Sequence, residues 1–280
     1  MEPMYRVLVI GEGCEAQEWV KRTAALPDGV VESVVGRVDA LGRLRRRSYD
    51  VVVTSPCTTV DEDLALVEEM RRLRPAIRVI VLAPRLTAED VVAALKAKVF
   101  AVFTAPFEPL EVTDMVKRAV EDRDWRSGIE VVAARRNWIS VRADCRLLTA
   151  ERLLTFMNEL SSEVATPERD DLMLAFREIL LNAIEHGAGF DPEKLVEVSA
   201  VRTERALVFY VHDPGPGFRR EDLAHAAVSN PPGHPLAHMD KRAEEGLRPG
   251  GFGILLAKKI VDELIYNEVG NAVLLVKHMR

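Results

Sequence analysis

The chain has 280 residues, of which 48% are hydrophobic and 29% are charged, and its formal net charge is −6. This composition is ordinary for a folded protein, and the length predicts two domains of roughly 100–200 residues each. The acidic balance argues against a nucleic-acid-binding surface. Nowhere do about 18 apolar residues run together, as a membrane-spanning helix requires. We therefore expect no direct contact with nucleic acid or membrane.

The first residues, MEPMYRVLVIGEG, contain no basic region and only a short apolar run. This argues against a targeting segment and favours a cytoplasmic location. The three cysteines, Cys14, Cys57 and Cys145, follow neither a metal nor a redox spacing. Their odd number argues against a disulfide framework, so we expect all three to be small buried hydrophobic residues.

Over residues 1–123, short runs rich in Val and Ile alternate with amphipathic helical stretches. The runs lie at 5–11, 30–36, 50–55, 78–83 and 100–105. Their apolar residues are consecutive, as in strands buried on both faces of a parallel sheet. Helices are expected at 14–26, 38–47, 61–74 and 88–98, with a last one after Pro106. The pattern predicts a (βα)5 doubly wound α/β domain.

The alternation stops at EDRDWRSGIEVVAARRN, where polar residues and a Gly suggest a linker or a connecting hairpin. We assign 124–137 to this connection and 138–280 to the second domain. Strands are expected at 138–144 and within 195–213, and a hairpin with its turn near Gly270-Asn271 closes the chain. Helices are expected near 147–163, from Thr166-Pro167 to about His186, and over 251–264. This predicts an α+β domain with helices on one mixed sheet.

The helix that follows Pro167 contains FREILLNAIEHG, residues 176–187. At about 100° per residue, its polar residues fall on one arc and its apolar residues on the opposite arc. The polar arc holds Asp171, Glu178, Asn182, Glu185 and His186, and the apolar arc holds Phe176, Ile179, Leu180, Ala183 and Ile184. Taken alone, the polar arc is what any helix with one solvated face shows.

Two glycine clusters follow this helix. DPGPGF, residues 213–218, ends a strand with an Asp and two glycines, and RPGGFGILLAKK, residues 248–259, has three glycines directly before a helix. Glycine lets the backbone approach a ligand closely, and the N–H groups at a helix start can bind phosphate. Either cluster alone is typical of a turn. Their order after the polar arc is a more specific signal.

These three segments, in this order, resemble the N, G1 and G2 boxes of the GHKL ATPases, the superfamily of gyrase, histidine kinases and MutL. Within it, FREILLNAIEHG and GGFGILL are most similar to the anti-sigma-factor serine kinases. The resemblance covers about 138–280. It implies a Bergerat ATP-binding fold that uses ATP and Mg²⁺.

The resemblance also implies a role for each box. Asn182 would ligate Mg²⁺ through its amide oxygen, and Asp213 would accept a hydrogen bond from the adenine amino group. Glu178, one helical turn before Asn182, would be the general base beside the γ-phosphate. The glycines that would follow the nucleotide are Gly215, Gly217, Gly250, Gly251 and Gly253, with a lid over 219–249. Arg248, Arg242 and Lys258 would either balance phosphate charge or be solvated.

All six histidines lie at residue 186 or later, so no phosphorylatable His precedes the first ATP box, as a dimeric histidine kinase requires. The chain is also shorter than the gyrase and MutL class needs. By elimination and resemblance, we expect a protein serine/threonine kinase that acts on a STAS-fold anti-sigma antagonist and alternately holds a sigma factor. The family also implies a homodimer. The alternative is an ATP-dependent binding switch that sequesters a partner with little or no phosphoryl transfer.

Two segments of the first domain, SYDVVVTSPCTTVDEDL and FAVFTAPFEPLEV, resemble a response-regulator receiver. A working receiver needs an acidic pair, an acceptor Asp, a Ser or Thr, and a Lys at the ends of four strands. Here these positions hold Gly11-Glu12, Ser55, Ala83 and Ala105. We expect a phosphorylation-incompetent pseudo-receiver that docks, dimerises or senses a ligand, or else a passive scaffold. The basic cluster Arg43, Arg45, Arg46 and Arg47 is expected to be a solvated helix face.

Overall fold

The computed structural model describes residues 5–11, 29–54, 56–122, 128–162, 166–218 and 252–279. The chain divides into two compact units, Met1–Ser127 and Gly128–Arg280. Each unit has a β-sheet of its own. Within the described ranges, no helix has both the length and the apolar character needed to cross a membrane.

The first unit is built on a five-stranded parallel sheet. Its strands are β1 (Tyr5–Ile10), β2 (Gly29–Val34), β3 (Val51–Val53), β4 (Arg78–Ala83) and β5 (Ala101–Thr104), in the spatial order β2-β1-β3-β4-β5. Val7, Val52 and Ile80 are completely buried, as expected where helices cover both faces of a sheet. This is the doubly wound strand order of flavodoxin and CheY. All five strands overlap the predicted runs.

Four helices of the first unit are described: α1 (Arg37–Arg46), α2 (Val60–Leu73), α3 (Ala88–Lys96) and α4 (Pro109–Glu121). Helix α2 starts with a capping box, in which the Thr59 hydroxyl accepts the Glu62 N–H and the Glu62 carboxylate accepts the Thr59 N–H. In the basic cluster, Arg43 and Arg47 are exposed and bind Glu32 at 2.9 and 3.2 Å. The helix predicted over 14–26 lies outside the described residues, so the complete (βα)5 repeat stays a prediction.

The second unit is built on a six-stranded sheet. Its strands are β6 (Ile129–Arg135), β7 (Trp138–Asp144), β8 (Leu195–Arg202), β9 (Ala206–His212), β10 (Glu263–Tyr266) and β11 (Ala272–His278), in the order β10-β11-β9-β8-β7-β6. Every neighbouring pair is antiparallel. The expectation of a mixed sheet is therefore wrong.

The connection predicted over 124–137 is largely a hairpin arm. Strand β6 pairs with β7 from Ile129 opposite Ala143 to Arg135 opposite Trp138, with a register shift between Val131 and Ala133. Ile129 is buried because it lies on the covered face of the sheet, next to Ala143. The second unit consequently begins at Gly128 rather than at residue 138.

Helices α5 (Leu147–Leu160), α6 (Thr166–Asn182) and α7 (Gly253–Ile260) belong to the second unit. The rings of Phe176 on α6 and Phe209 on β9 stack with centroids 4.5 Å apart, which fixes α6 against the sheet. The Lys277 ammonium of β11 donates to Asp171 Oδ2 at 3.0 Å and to the Ile260 carbonyl at 2.6 Å. Helix α7 ends earlier than the predicted 264, because the residues after Asp262 pair with β11.

Candidate functional site

The polar arc of α6 lies beside the start of α7. A methyl group added to Gly253 would lie 2.6 Å from Glu178 Oε2 and 3.5 Å from Asn182 Nδ2. Both side chains are half-buried. Glu178, the predicted base, and Asn182, the predicted metal ligand, therefore lie next to Gly253. A larger residue at 253 would displace the Glu178 carboxylate.

The apolar arc of α6 is buried, as the helical spacing predicts, and the residues of the polar arc differ in their contacts. The apolar arc is buried: Phe176, Ile179, Leu180, Ala183 and Ile184 are each 6% exposed or less. On the polar arc, Asp171 pairs with Lys277 at 3.0 Å, and His186 is exposed. Glu178 and Asn182, in contrast, approach the start of α7.

Helix α6 continues into a π-helical turn, Ala183–Ala188, which Gly189 ends with a φ of 69°. Such turns are rare and are frequently found at functional sites. This one carries Gly187 against the end of β9, where an added methyl group would lie 2.2 Å from Asp213 Oδ1. Gly187 was not predicted as a site residue. Its only signal in the sequence is a Gly within an otherwise helical pattern.

Asp213 begins a tight loop at the end of β9. Its Oδ1 accepts the N–H of Gly215 at 2.8 Å. Partial burial raises the pKa of the carboxyl group, although the Gly215 N–H and the charge of His212 oppose this shift. A methyl group on Gly215 would lie 2.6 Å from the Gly187 carbonyl oxygen. Asp213, Gly187 and Gly215 therefore form a second cluster with no room for side chains on the two glycines.

The turn between β10 and β11 holds this loop. The Asn271 carbonyl accepts the Asp213 N–H at 2.9 Å, and Asn271 Nδ2 donates to the Gly215 carbonyl at 3.2 Å. Asn267 Nδ2 in turn donates to Asn271 Oδ1 at 2.9 Å. Sequence reasoning expected a turn at Gly270-Asn271 but gave Asn271 no part in the site.

Gly217 contacts the same turn. Its φ is 77°, and a methyl group added to it would lie 2.1 Å from the Val269 carbonyl oxygen. Phe218 N–H donates to that oxygen at 3.1 Å. A glycine is therefore needed at 217 because two backbone segments cross there. This requirement is separate from the predicted approach of Gly217 to a nucleotide.

Several predicted site residues lie outside the described part of the chain: Arg242, Arg248, Gly250, Gly251 and the lid segment 219–249. Lys258 is exposed in the last turn of α7, about 7.5 Å along the axis from Gly253 at 1.5 Å per residue. Among the residues that the structure describes, no group of three or more His, Cys, Asp or Glu side chains is arranged to hold a metal ion.

The cysteines differ in their surroundings. Cys145 is buried, and burial together with the charges of Asp144, Asp191 and Asp213 raises the pKa of its thiol to about 11. It is therefore a protonated, unreactive core residue. Cys57 is exposed, so the expectation of a buried residue is wrong there. Cys14 lies outside the described residues.

At the carboxyl edge of the first sheet, the two described positions that correspond to functional groups of a working receiver hold alanine. Ala83 ends β4 and Ala105 follows β5, where a hydroxyl and an ammonium group are required. Glu12 and Ser55 lie outside the described residues. A different carboxyl group is buried near this edge: Asp63, 3% exposed, accepts hydrogen bonds from Thr54 Oγ1 at 2.9 Å and Thr58 Oγ1 at 2.7 Å.

Residues 141–277 match the family profile described as a histidine kinase-like ATPase domain. The match spans slightly less than half of the chain and includes Glu178, Asn182, Asp213 and Gly253. The second unit contains a histidine kinase-like ATPase domain. The two clusters described above, one at the start of α7 and one at the end of β9, both lie within this ATPase domain. No curated protein matches the chain.

Solved receiver domains are similar to part of this chain. A response regulator from Thermotoga maritima is 21% identical, with 44% of this chain and 100% of that chain covered and a TM-score of 0.39. A CheY-like receiver domain from Methanospirillum hungatei is 18% identical, with 42% and 94% covered and a TM-score of 0.38. The activated DrrB receiver domain is 22% identical, with 42% and 98% covered and a TM-score of 0.37. We assign the receiver-like fold of the first unit from its strand order, β2-β1-β3-β4-β5, and not from these similarities.

Proposed function

We propose that this protein is an Mg-ATP-dependent protein serine/threonine kinase of the anti-sigma-factor type, with a Bergerat-fold ATPase domain and a receiver-like domain that does not accept phosphate. The family match of residues 141–277 implies ATP binding. Phosphoryl transfer, beyond ATP binding, is supported by the position of Glu178 and Asn182 next to Gly253 at the start of α7. A protein that only bound ATP would need Asn182 and Asp213 but no base.

The cluster at the end of β9 would recognise adenine. The Asp213 carboxylate accepts a hydrogen bond from an amino group, which adenine carries at the position where guanine carries an oxygen acceptor. A hydrogen bond to a charged group contributes about 1.5–3 kcal/mol. The Asp213 carboxylate can keep this position because a side chain at either Gly187 or Gly215 would clash with it.

The cluster at the start of α7 would hold the phosphates. Mg²⁺ binds hard oxygen ligands and keeps several waters, so one amide oxygen from Asn182 together with phosphate oxygens suits it. The backbone N–H groups that begin α7 favour an anion. Glu178 would accept the proton that a substrate hydroxyl loses as its oxygen bonds to the γ-phosphorus and the bond to ADP breaks.

The partners in this proposal come from the resemblance to the anti-sigma-factor kinases. A STAS-fold antagonist would carry the accepting Ser or Thr, and a sigma factor would be held in alternation with it. A homodimer and a cytoplasmic location belong to the same proposal. Co-purification from the native host, followed by mass spectrometry, would identify the partner.

Labelled ATP tests the proposal. Wild type and Glu178→Gln are incubated with γ-labelled ATP and candidate STAS proteins, and we expect label on a Ser or Thr with wild type only. Removal of a general base lowers a rate by about 10²–10⁴-fold, while ATP binding is retained. Asp170→Asn, which removes an exposed carboxylate of α6 about 12 Å before Glu178 along the helix axis, is the control and transfers normally.

If wild type binds ATP but labels none of these proteins, the kinase proposal is wrong. The protein is then an ATP-dependent binding switch, and its affinity for the partner depends on the bound nucleotide. If Glu178→Gln transfers phosphate as fast as wild type, the base has been misassigned.

A further inference from the structure

A cavity of about 390 Å³ opens at the carboxyl edge of the sheet in the first unit. It lies beyond the ends of β1 and β2, beside the segment that follows β3 and the first turns of α2. In the strand order β2-β1-β3-β4-β5, β1 is followed along the chain by β2 on one side, whereas β3 is followed by β4 on the other, so the order reverses between β1 and β3. Open α/β sheets bind their ligands in the crevice at such a switch point, and sites for small molecules span about 300–1,000 Å³.

One side of this cavity is apolar. Its walls include Ile10 at the end of β1, Val35 after β2 and Leu66 on α2. Val35 is 60% exposed, although it is a large apolar residue. Gly36 adds open space, because a methyl group placed on it would meet no atom within 4 Å. An apolar ligand body would cover this surface.

The polar side of the cavity carries excess negative charge. Asp63 and Glu62 both line it. Burial raises the pKa of Asp63 to about 6, and the nearby charge of Glu62 raises it too, while the hydroxyls of Thr58 and Thr54 lower it. At neutral pH the buried carboxyl group is mainly ionised, and its charged neighbour has the same sign. Such an arrangement is costly unless a cation joins it.

Among the lining residues that the structure describes, the one cation is already engaged. Arg37, at the start of α1, donates a hydrogen bond to the carboxylate of Glu69, a residue that does not line the cavity. The charge of Arg37 also lowers the pKa of Glu62, so this one cation serves two carboxylates, Glu69 and Glu62. In the described part of the lining, the charge of Asp63 has no cation beside it and lies next to apolar residues.

We propose that this cavity binds a small organic ammonium ion, with its apolar body against Ile10, Val35 and Leu66 and its ammonium group beside Asp63. The ligand would give the receiver-like unit an input that does not require phosphate. This inference is independent of the kinase proposal, since it concerns the first unit alone.

Cys57 provides the reporter, because it lines the cavity and is exposed, whereas Cys145 is buried. The full chain carrying Cys14→Ser is treated with iodoacetamide, and the alkylation of Cys57 is followed by mass spectrometry. Three probes of similar shape are compared: phenethylamine, 2-phenylethanol and 3-phenylpropanoate. We expect phenethylamine to slow the alkylation several-fold in a saturable way, and the other two to slow it much less.

Two glycines provide matched variants. Gly36 has a φ of −174°, which any residue adopts, so Gly36→Leu fills the cavity without backbone strain and should abolish the protection. Gly42→Leu is the control, because a side chain at Gly42 also meets open space but lies away from the lining residues. Asp63→Asn should remove the preference for phenethylamine over 2-phenylethanol. Each variant is compared with its own rate without probe.

Equal protection by 3-phenylpropanoate or 2-phenylethanol in the unaltered cavity would overturn the charge assignment and with it the proposal. Absence of protection by phenethylamine up to its solubility limit would do the same. Undiminished protection in Gly36→Leu would show that the probe binds elsewhere. Circular dichroism checks the fold, and Leu66→Phe, which narrows the cavity from α2, replaces Gly36→Leu if that variant unfolds.

Discussion

Replacing Gly187 by alanine tests whether the π-helical turn positions Asp213 for adenine. The added methyl group would lie 2.2 Å from Asp213 Oδ1, 2.3 Å from its Cγ and 2.7 Å from its Cβ, whereas ordinary contacts begin at 3.4 Å. Either the carboxyl group or the turn must therefore move by about 1 Å. A shift of that size lengthens the 2.8 Å bond from Gly215 N–H beyond hydrogen-bonding distance.

The displaced carboxylate would no longer meet the adenine amino group. A hydrogen bond to a charged group is worth about 1.5–3 kcal/mol, which corresponds to about a 10- to 150-fold loss of ATP affinity. ADP should lose the same factor, because the change affects the adenine end and leaves the phosphate end intact. Isothermal titration calorimetry on the full chain measures both.

The matched control is Gly42→Ala on α1, where the new methyl group meets no atom within 4 Å. It should bind ATP as wild type does and unfold no earlier, since a helical Gly→Ala change stabilises by about 0.4–1 kcal/mol. Wild-type ATP affinity in a folded Gly187→Ala would refute the reasoning. It would mean that Asp213 tolerates the displacement or does not contact adenine.

Three further predictions concern other parts of the chain. The pKa of Asp63 is raised from 3.8 to about 6, so its ionisation destabilises the folded state above that pKa, and the penalty fades as the pH falls. Relative to Asp63→Asn, wild type should gain about 1 kcal/mol in free energy of unfolding from pH 7 to pH 5, and parallel pH profiles in urea unfolding would contradict this. Acetyl phosphate should leave Ser55 unmodified, since a serine forms no acyl phosphate and Ala105 cannot compensate the charge; a phosphorylated Ser55 in a mass spectrum would end the pseudo-receiver interpretation. Asn271→Ala removes the 3.2 Å bond to the Gly215 carbonyl and should weaken ATP binding about fivefold, for a loss of about 1 kcal/mol; an unchanged dissociation constant would show that the backbone bond from Asp213 suffices.

The first sheet could be predicted because its signal is local. Runs such as YRVLVI and RVIVLA are apolar at successive positions, and only a strand covered on both faces accommodates them. The polar and apolar arcs of α6 are equally local, because the helical period fixes them. The assignment of Glu178, Asn182 and Asp213 to a nucleotide site comes from the family resemblance of three short motifs and stays a prediction.

What could not be predicted depends on pairing between distant segments. Strand β6 contains Ala133, Ala134 and Arg135, which have no strong strand preference, and its partner β7 determines its conformation. The antiparallel direction of the whole second sheet has the same origin. The roles of Gly187 and Asn271 arise only when the π-helical turn and the last hairpin meet the Asp213 loop.

The most direct test of the account is calorimetric titration of Mg-ATP into the full-length protein, its Asp213→Ala variant and its Glu178→Ala variant. If Asp213 recognises adenine and Glu178 acts only on the transferred group, Asp213→Ala loses at least the roughly 10- to 150-fold in ATP affinity that one hydrogen bond to a charged group contributes, whereas Glu178→Ala binds ATP about as tightly as wild type. Equal ATP affinity in wild type and a folded Asp213→Ala would contradict the assignment of the nucleotide site.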